Sequence, residues 1–376
     1  MYWHAKNITI DTFLQKCYYN FVMIKMNFPR DKKGFYIIQK QTAKDKAVIN
    51  TSDSVCKSDN FWYPNDRDEK ILMKFEPNEA SIMTLCGELL FSHIAKNNNY
   101  PCADIDIGRF DTGEYVALSK NVVDDKAEPL YCNTIFDFYD CNYADRIPTV
   151  ENIFRLVDAY AYDNGIKTDP KLKTNLYKMA LVDFLTNQDD RNFSNFMFQI
   201  KDCDGEKIIH LCDLFDNEGV FEFMQLYFNN NICELFKNKE FEDDVFYDLQ
   251  KDFQTALKNS KENSLLDKTF GIETDVQDMV NSINIYENVV GTRKRETIKK
   301  IFYNEMAEVL LKNEELMQFF NNFKYNADEV GAQIYNEIGF VMPQELLKLS
   351  QYQFDFRKKE IIKALESKIE NEMGEE

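Results

Sequence analysis

The chain has 376 residues, and its 64 acidic against 45 basic side chains give a formal net charge of −19. This excess of negative charge argues against a protein that binds nucleic acid along an extended basic face, and it opposes attachment to anionic membranes. A hydrophobic fraction of 44%, with 31 Phe and 20 Tyr, is enough for a large core and excludes wholesale disorder. The length predicts about two domains.

The sequence predicts a cytoplasmic protein without a membrane span. No segment is apolar over the roughly 18 residues that a bilayer requires, and the first residues lack the basic and apolar regions of a secretory signal. The nine cysteines are an odd number with no Cys-x-x-Cys pair, which is typical of reduced thiols rather than of a disulfide framework. Three histidines argue against a Cys/His zinc site.

The first 120 residues predict a mostly antiparallel sheet that carries one helix. Apolar runs at 70–75, 105–110 and 114–120 have the length and composition of strands. Asp111-Thr112-Gly113 between the last two is a good hairpin turn. Residues 81–96 place their apolar side chains at helical spacing, which indicates an amphipathic helix.

The character changes after about residue 124, where helical periodicity dominates. The exception is a hairpin, in which runs at 196–200 and 207–211 flank an Asp-Gly turn. We therefore expect a sheet-rich lobe over 1–125 and a mainly helical lobe over 126–376. The predicted helices cover 150–162, 174–186, 243–258, 274–287, 292–312, 314–323 and 343–368.

The chemistry-bearing pattern surrounds that hairpin. Asp190 and Asn195 precede its first strand with D-x-x-x-x-N spacing, and Asp216 follows its second strand. A tight hairpin brings these two ends to one rim, where Asn195 and Asp216 would offer oxygen ligands to Mg²⁺ beside nucleotide phosphates. Asp190 could then orient a hydroxyl nucleophile and accept its proton. The alternative is a solvated acidic turn in which Asn195 closes the loop.

Lys74 is the second unusual residue. In the predicted strand KILMKF, alternation points Lys74 to the same face as Leu72. A lysine on an apolar face requires an anionic partner, because an unpaired buried charge is costly. The alternative is an edge strand whose lysine faces solvent.

Four blocks of sequence, in order over about residues 50–220, resemble the HipA-like bacterial serine/threonine kinases and, more distantly, the phosphoinositide 3-/4-kinase-like enzymes. The blocks are SVCKSDNFWYPNDRDEKILMKFEP, GELLFSHIAK…CADIDIGRF…EYVALSKN, ALVDFLTNQDDRNFSNFMF and IIHLCDLFDNEGVF. The resemblance implies an α+β, two-lobed protein-kinase-like fold. It places ATP in the cleft between a sheet-rich N-lobe and a mainly helical C-lobe.

The resemblance also implies residue roles at the hairpin. Asp190 would be the catalytic base, and Asn195 and Asp216 would be the Mg²⁺ ligands. Asp189 and Asp213 are neighbouring alternatives. The D-x-x-x-x-N spacing favours Asp190, and the Phe-Asp-Asn-x-Gly pattern favours Asp216.

On the nucleotide side, Lys74 would neutralise phosphate charge, with Glu88 as its carboxylate partner in preference to Glu79. The chain departs from the family in two places. Asn192 stands where family loops usually have histidine, and the phosphate-covering segment TSDSVCKSDN has no glycine. Side-chain donors would replace backbone N–H groups in that segment. These donors are Ser52, Ser54, Lys57 and Ser58.

The function implied is ATP- and Mg²⁺-dependent phosphoryl transfer to a Ser or Thr of a protein. HipA-like proteins are often toxins with an antitoxin partner, and some phosphorylate themselves on a serine near the nucleotide loop, which would be Ser52, Ser54 or Ser58 here. Three alternatives stay open: a pseudokinase that serves as an interaction module, a lipid kinase of the phosphoinositide type, and an AMP transferase. The acidic composition disfavours the lipid kinase and direct binding of nucleic acid.

Overall fold

The structure is a computed structural model, and it combines two β-sheets with helices. The residues that it describes are 26, 28–32, 35–45, 61–64, 69–75, 80–139, 150–188, 191, 195–222 and 306–374. Five strands and two helices form the described elements up to residue 120, and helices dominate the described residues after 130. The predicted α+β composition is therefore confirmed.

The first sheet has five strands in the order β1-β4-β5-β3-β2. Strands β2 to β5 pair antiparallel, whereas β1 joins β4 in parallel, so the predicted mostly antiparallel sheet is confirmed. Pro64 ends β2 at the edge of the sheet, where its missing N–H costs no ladder bond. The strands are β1 (Tyr36–Ile38), β2 (Phe61–Pro64), β3 (Lys70–Lys74), β4 (Ile105–Phe110) and β5 (Tyr115–Lys120).

Two helices accompany this sheet. The short α1 (Lys40–Asp45) follows β1, and the long α2 (Ala80–Asn97) follows β3. Helix α2 is the predicted amphipathic helix, whereas six-residue α1 was not predicted, because it is too short to show a periodic pattern. The apolar side of α2 packs into the main core of the protein.

The second sheet has four strands in the order β6-β8-β9-β7. The predicted hairpin is confirmed as its centre, with strands longer than the apolar runs suggest. The prediction of a single β interruption after residue 124 was wrong, because two short strands flank the hairpin. The strands are β6 (Glu128–Tyr131), β7 (Lys167–Thr168), β8 (Met197–Cys203) and β9 (Glu206–Leu211).

The remaining described segments are helical. The predicted helices at 150–162, 174–186 and 314–323 are confirmed within two residues at each end, and the one at 343–368 is confirmed but ends six residues later. Those at 243–258 and 274–287, with most of 292–312, lie outside the described residues. The helices are α3 (Cys132–Phe138), α4 (Val150–Asp163), α5 (Leu172–Leu185), α6 (Glu314–Asn322), α7 (Ala327–Ile338) and α8 (Gln344–Gly374), with residues 306–312 also helical.

One large hydrophobic core joins α2 to helices α4 to α8 and to the second sheet, and a smaller cluster covers the other face of the first sheet. The five cysteines among the described residues are free thiols, in line with the composition. Among the described helices, none combines the length and the apolar character needed to cross a bilayer.

Candidate active site

Lys74, the last residue of β3, lies beneath α2 and faces the protein interior. Only 4% of its side chain is exposed, and its ammonium donates a hydrogen bond of 2.5 Å to Glu88 Oε1. Glu88 lies in the middle of α2 and is itself 1% exposed. Strand β3 has neighbours on both sides, so the interpretation of Lys74 as a solvent-facing lysine on an edge strand was wrong.

Two further carboxylates reach the same ammonium from the segment that follows β9. Asp216 Oδ1 lies 2.5 Å from Lys74 Nζ, and Glu218 Oε2 lies 3.1 Å from it. Both are about a quarter exposed, in contrast to the buried Glu88. The three carboxylates each place an oxygen within 4.8 Å of the other two.

The charged groups of this cluster shift the pKa values of Lys74 and Glu218. Burial alone lowers the pKa of Lys74, but the nearby charges of Asp216, Glu218 and Glu88 outweigh it and hold that pKa well above its usual value. Burial raises the pKa of Glu218 to about 7; Lys74 opposes this rise, and the charges of Asp216 and Glu88 add to it. Lys74 is therefore charged at neutral pH.

A glycine allows the segment after β9 to approach α2 this closely. A Cβ atom at Gly87 would lie 2.6 Å from the backbone oxygen of Glu218, a distance that real contacts do not show. The backbone N–H of Asn217 also donates to Glu88 Oε1 at 3.1 Å. Asp216 adopts a left-handed conformation (φ 58°), which aspartate tolerates better than most residues and which turns the chain at this point.

Arg191 joins the D-x-x-x-x-N segment to the segment after β9. Its guanidinium is fully buried and forms a two-pronged pair with Asp183 of α5, at 3.1 Å on each side. One nitrogen donates to the backbone oxygens of Asn195 (2.7 Å) and Phe215 (2.6 Å), and another to Asn217 Oδ1 (2.5 Å). The guanidinium of Arg191 therefore donates both to Asn195 of the first motif and to the neighbours of Asp216 in the second.

The pairing with Asp183 keeps this buried cation compensated. Burial raises the pKa of Asp183 to about 6, although the charge and hydrogen bonds of Arg191 oppose the rise. Both groups are thus charged at neutral pH. A planar guanidinium with fixed donors can serve a carboxylate and several carbonyl groups at once, which a lysine ammonium cannot do.

The last helix also contacts residues 184–187, which precede the D-x-x-x-x-N segment. Arg357 of α8 donates to the backbone oxygen of Phe184 at 3.0 Å and to the side-chain oxygen of Asn187. Gln353, one turn earlier, contacts the amide of Asn187 at 3.2 Å and the backbone oxygen of Phe221 at 3.4 Å. Asn187 has a positive φ of 50°, so this tight turn is fixed from α8.

The structure brings together three of the residues predicted from the sequence: Lys74, Glu88 and Asp216. Asn195 is buried, and its backbone is linked to that of Phe215 through Arg191. Asp213, the alternative to Asp216, is exposed. Several predicted residues lie outside the described part of the chain, namely Asp190, Ser52, Ser54, Lys57 and Ser58, together with the alternatives Asp189 and Glu79.

Sequence reasoning gave no role to Glu218, Arg191 or Asp183. Glu218 was visible as a second acid two residues after Asp216. Arg191 was visible as the only cation in the acidic run TNQDDRNFSN, eight residues after Asp183. Neither position could be recognised as buried or paired without the tertiary structure.

The donor set fits a hard divalent cation. Carboxylate oxygens such as those of Asp216 are the type of ligand that Mg²⁺ prefers. Lys74 Nζ contacts one oxygen of each of the three carboxylates.

Comparisons with known proteins agree on the fold. No protein-family model and no curated protein matches the chain. The crystal structure of the Helicobacter pylori proinflammatory kinase CtkA matches with a TM-score of 0.50 at 15% identity, over 87% of this chain and 97% of that one. HipA of Shewanella oneidensis MR-1, in complex with HipB and operator DNA, matches with a TM-score of 0.40 at 11% identity, over 87% and 69%. The match to CtkA shows that the chain has a kinase-like fold.

Proposed function

We propose that the protein is a kinase that transfers the γ-phosphoryl group of ATP, in the presence of Mg²⁺, to a Ser or Thr hydroxyl of a protein. The observation that carries this proposal is the cluster in which Lys74 contacts Glu88 and Asp216, each at 2.5 Å. It joins a strand, a helix and the end of a hairpin in a kinase-like fold, and protein kinases bring together a lysine, a glutamate and a metal-binding aspartate of the same kinds. A lysine steadied by a helix glutamate is suited to neutralise nucleotide phosphates.

Each residue of the site would have its own role in phosphoryl transfer. Lys74 would bind phosphate oxygens, and Asp190 would orient the substrate hydroxyl and accept its proton. Asn195 and Asp216 would hold Mg²⁺, which neutralises the charge that develops on the phosphate oxygens when it is bound. Arg191 would act only through the others, because its contacts fix the backbones of Asn195 and Phe215.

The test is incubation with γ-labelled ATP, Mg²⁺ and a cell lysate. We expect labelled protein with the parent, and a loss of about 10²–10⁴-fold with Asp190→Ala or Asp216→Ala while the fold is kept. Asp213→Ala is the matched control, since Asp213 is an exposed acid in the same segment. Equal labelling by the parent and Asp216→Ala would contradict the assignment. Labelling from α- but not γ-labelled ATP would indicate AMP transfer.

A pseudokinase is the second candidate, and the glycine-free segment 51–60 favours it. The two functions differ in nucleotide binding. A ligand at 100 times its dissociation constant stabilises the folded protein by about 2.7 kcal/mol, so ATP with Mg²⁺ should raise the melting temperature of a kinase. The absence of any shift would favour the interaction module.

We also propose that the chain modifies itself within 51–60, on Ser52, Ser54 or Ser58, as some proteins of the resembling family do. Mass spectrometry after incubation with ATP and Mg²⁺ should find phosphate in this segment of the parent and none in Asp216→Ala. Phosphate found only elsewhere in the chain would contradict this proposal. A toxin role with an antitoxin partner likewise rests on the sequence resemblance.

A further inference from the structure

We propose that Glu218 competes with the phosphates of the nucleotide for Lys74, and so sets the affinity of the site for ATP. This inference rests on the proposed function, because it assigns a task to Lys74 within it. Glu218 thereby becomes a residue that weakens nucleotide binding, in contrast to Lys74, Asp216 and Asn195, which would strengthen it.

The first step of the argument is the donor capacity of Lys74. An ammonium has three N–H donors, and three carboxylates contact this one, at 2.5, 2.5 and 3.1 Å. With Glu88, Asp216 and Glu218 in these positions, every donor is used. A phosphate oxygen can accept from Lys74 only if one carboxylate leaves.

The second step identifies the carboxylate that leaves. Glu88 is 1% exposed and also accepts from the backbone N–H of Asn217, so it is fixed from two sides. Asp216 has the short contact of 2.5 Å, whereas Glu218 has the longest of the three at 3.1 Å. A quarter of the Glu218 side chain is exposed, so its carboxylate can turn into water. Glu218 is therefore the partner that Lys74 releases at the lowest cost.

The third step is that only the side chain has to move. The backbone of Glu218 is packed against Gly87, where it leaves no room even for a Cβ atom, and the neighbouring Asn217 is tied to Glu88 and Arg191. The exchange is thus a rotation of one glutamate side chain, with Lys74, Glu88 and the main chain left in place.

Electrostatics point the same way. One ammonium and three carboxylates leave the cluster net negative, which repels a triphosphate. Removal of the charge of Glu218 lowers this repulsion and weakens the contact with Lys74, because a neutral amide oxygen is a weaker acceptor for an ammonium than a carboxylate is. Because the Glu218 side chain is partly exposed, its ion pair with Lys74 is of moderate strength, and we expect a gain in affinity of about two- to fivefold.

The experiment compares the affinity for ATP, measured by isothermal titration calorimetry with Mg²⁺ and again with EDTA, for the parent and Glu218→Gln. Glu206→Gln is the matched control, because it removes the same charge from an exposed lysine pair, that of Glu206 with Lys167 at 2.6 Å. We expect tighter binding of ATP by Glu218→Gln under both conditions, and no change for Glu206→Gln. Glu218→Asp, which keeps the charge but shortens the side chain, should lie between, and it serves as the second variant if Glu218→Gln fails to fold.

The outcomes separate the inference from the proposed function. If the parent and Glu218→Gln bind ATP equally, the inference is overturned and the kinase proposal stands. Weaker binding by Glu218→Gln in the presence of Mg²⁺ alone would make Glu218 a metal ligand and would also overturn the inference. If neither protein binds ATP under either condition, both the inference and the proposed function fail.

Discussion

At the scale of single residues, the charge of Lys74 is tolerated inside the protein because three acids surround it. Desolvation of an ammonium and of the 1% exposed Glu88 is costly, and their mutual attraction repays it only while both partners are present. Removal of one partner leaves an uncompensated buried charge. The stability of the pair is thus a property of both residues together.

We expect Lys74→Met to lower the free energy of unfolding by about 3–5 kcal/mol, because Glu88 remains buried without its cation. The double variant Lys74→Met/Glu88→Gln should recover much of that loss, since no unpaired charge is left. Urea unfolding of the four proteins of this double-mutant cycle measures both values. A Lys74→Met protein as stable as the parent would contradict the pairing.

Arg191, within the D-x-x-x-x-N segment, is a second buried cation whose charge depends on its partners. Its guanidinium serves Asp183 and three further acceptors, and a lysine could reach only part of this set. We expect Arg191→Lys to cost about 2–4 kcal/mol in the free energy of unfolding. Arg109→Lys, at a partly solvent-exposed arginine that donates to Gly113 O, should cost less than about 0.5 kcal/mol.

Denaturant unfolding gives both numbers, and calorimetry with ATP and Mg²⁺ adds a second readout. If Arg191 positions the site, the affinity of folded Arg191→Lys for ATP with Mg²⁺ should fall, while that of Arg109→Lys should not. An Arg191→Lys protein that loses stability but binds ATP as the parent does would restrict Arg191 to a structural role.

The sequence identified the residues whose type is unusual for their local pattern. Lys74 stood out because it interrupts the apolar face of a strand, and Asp216 because it follows a strand in a Phe-Asp pattern. Arg191 and Glu218 are charged residues in polar loops, where a charge is ordinary. Their importance comes from burial and from partners that are distant in the sequence, such as Lys74, 144 positions before Glu218.

At the scale of secondary-structure elements, the contact of α2 with the segment after β9 depends on Gly87. An alanine there would gain up to about 1 kcal/mol of helix propensity, but its Cβ would meet the backbone oxygen of Glu218 at 2.6 Å. Backbone atoms held on both sides cannot yield cheaply, so we expect Gly87→Ala to lose about 1–2 kcal/mol of unfolding free energy and to weaken ATP binding.

Gly331 of α7 provides the matched control. A Cβ there would also meet an atom at 2.6 Å, but this atom is the end of the flexible side chain of Leu347. Leu347 can change its rotamer, so Gly331→Ala should leave ATP affinity unchanged and alter stability by no more than about 1 kcal/mol. Thermal melts and calorimetry of both variants test the difference. An equal loss of ATP affinity in both would contradict the special role of Gly87.

Elements with a strong local pattern were predictable, and elements defined by long-range pairing were not. Helices α2, α4 and α5 and the β8–β9 hairpin follow from periodicity and an Asp-Gly turn. Strand β6 contains Pro129 and pairs only at the sheet edge, and two-residue β7 exists only through its parallel partner β9. Helix α7 was missed although Asn326 caps its start and Gly339 ends it, two signals that the sequence displays.

At the scale of the whole molecule, the C-terminal helices contact the elements that carry the candidate active-site residues. Helix α7 packs against α2, where His93 contacts Glu337 at 3.2 Å and Asn97 contacts Gln333 at 2.7 Å. Helix α2 carries Glu88, so the position of this glutamate depends on residues some 250 positions later in the chain. The motifs before residue 222 are therefore supported by helices that the sequence resemblance covers only vaguely.

The strongest of these long-range supports is Arg357 of α8, which is 2% exposed and binds Phe184 O and Asn187 beside the D-x-x-x-x-N segment. We expect Arg357→Met to lower the free energy of unfolding by about 2–3 kcal/mol, because the two acceptors lose a buried charged donor while the apolar stem is kept. We also expect slower labelling from γ-labelled ATP, since the turn at Asn187 loses its anchor. Lys359→Met, at an exposed position of the same helix, should change neither quantity. Labelling by Arg357→Met at the parent's rate, measured at a temperature where the variant is fully folded, would show that α8 supports the stability of the protein and not the geometry of the loop.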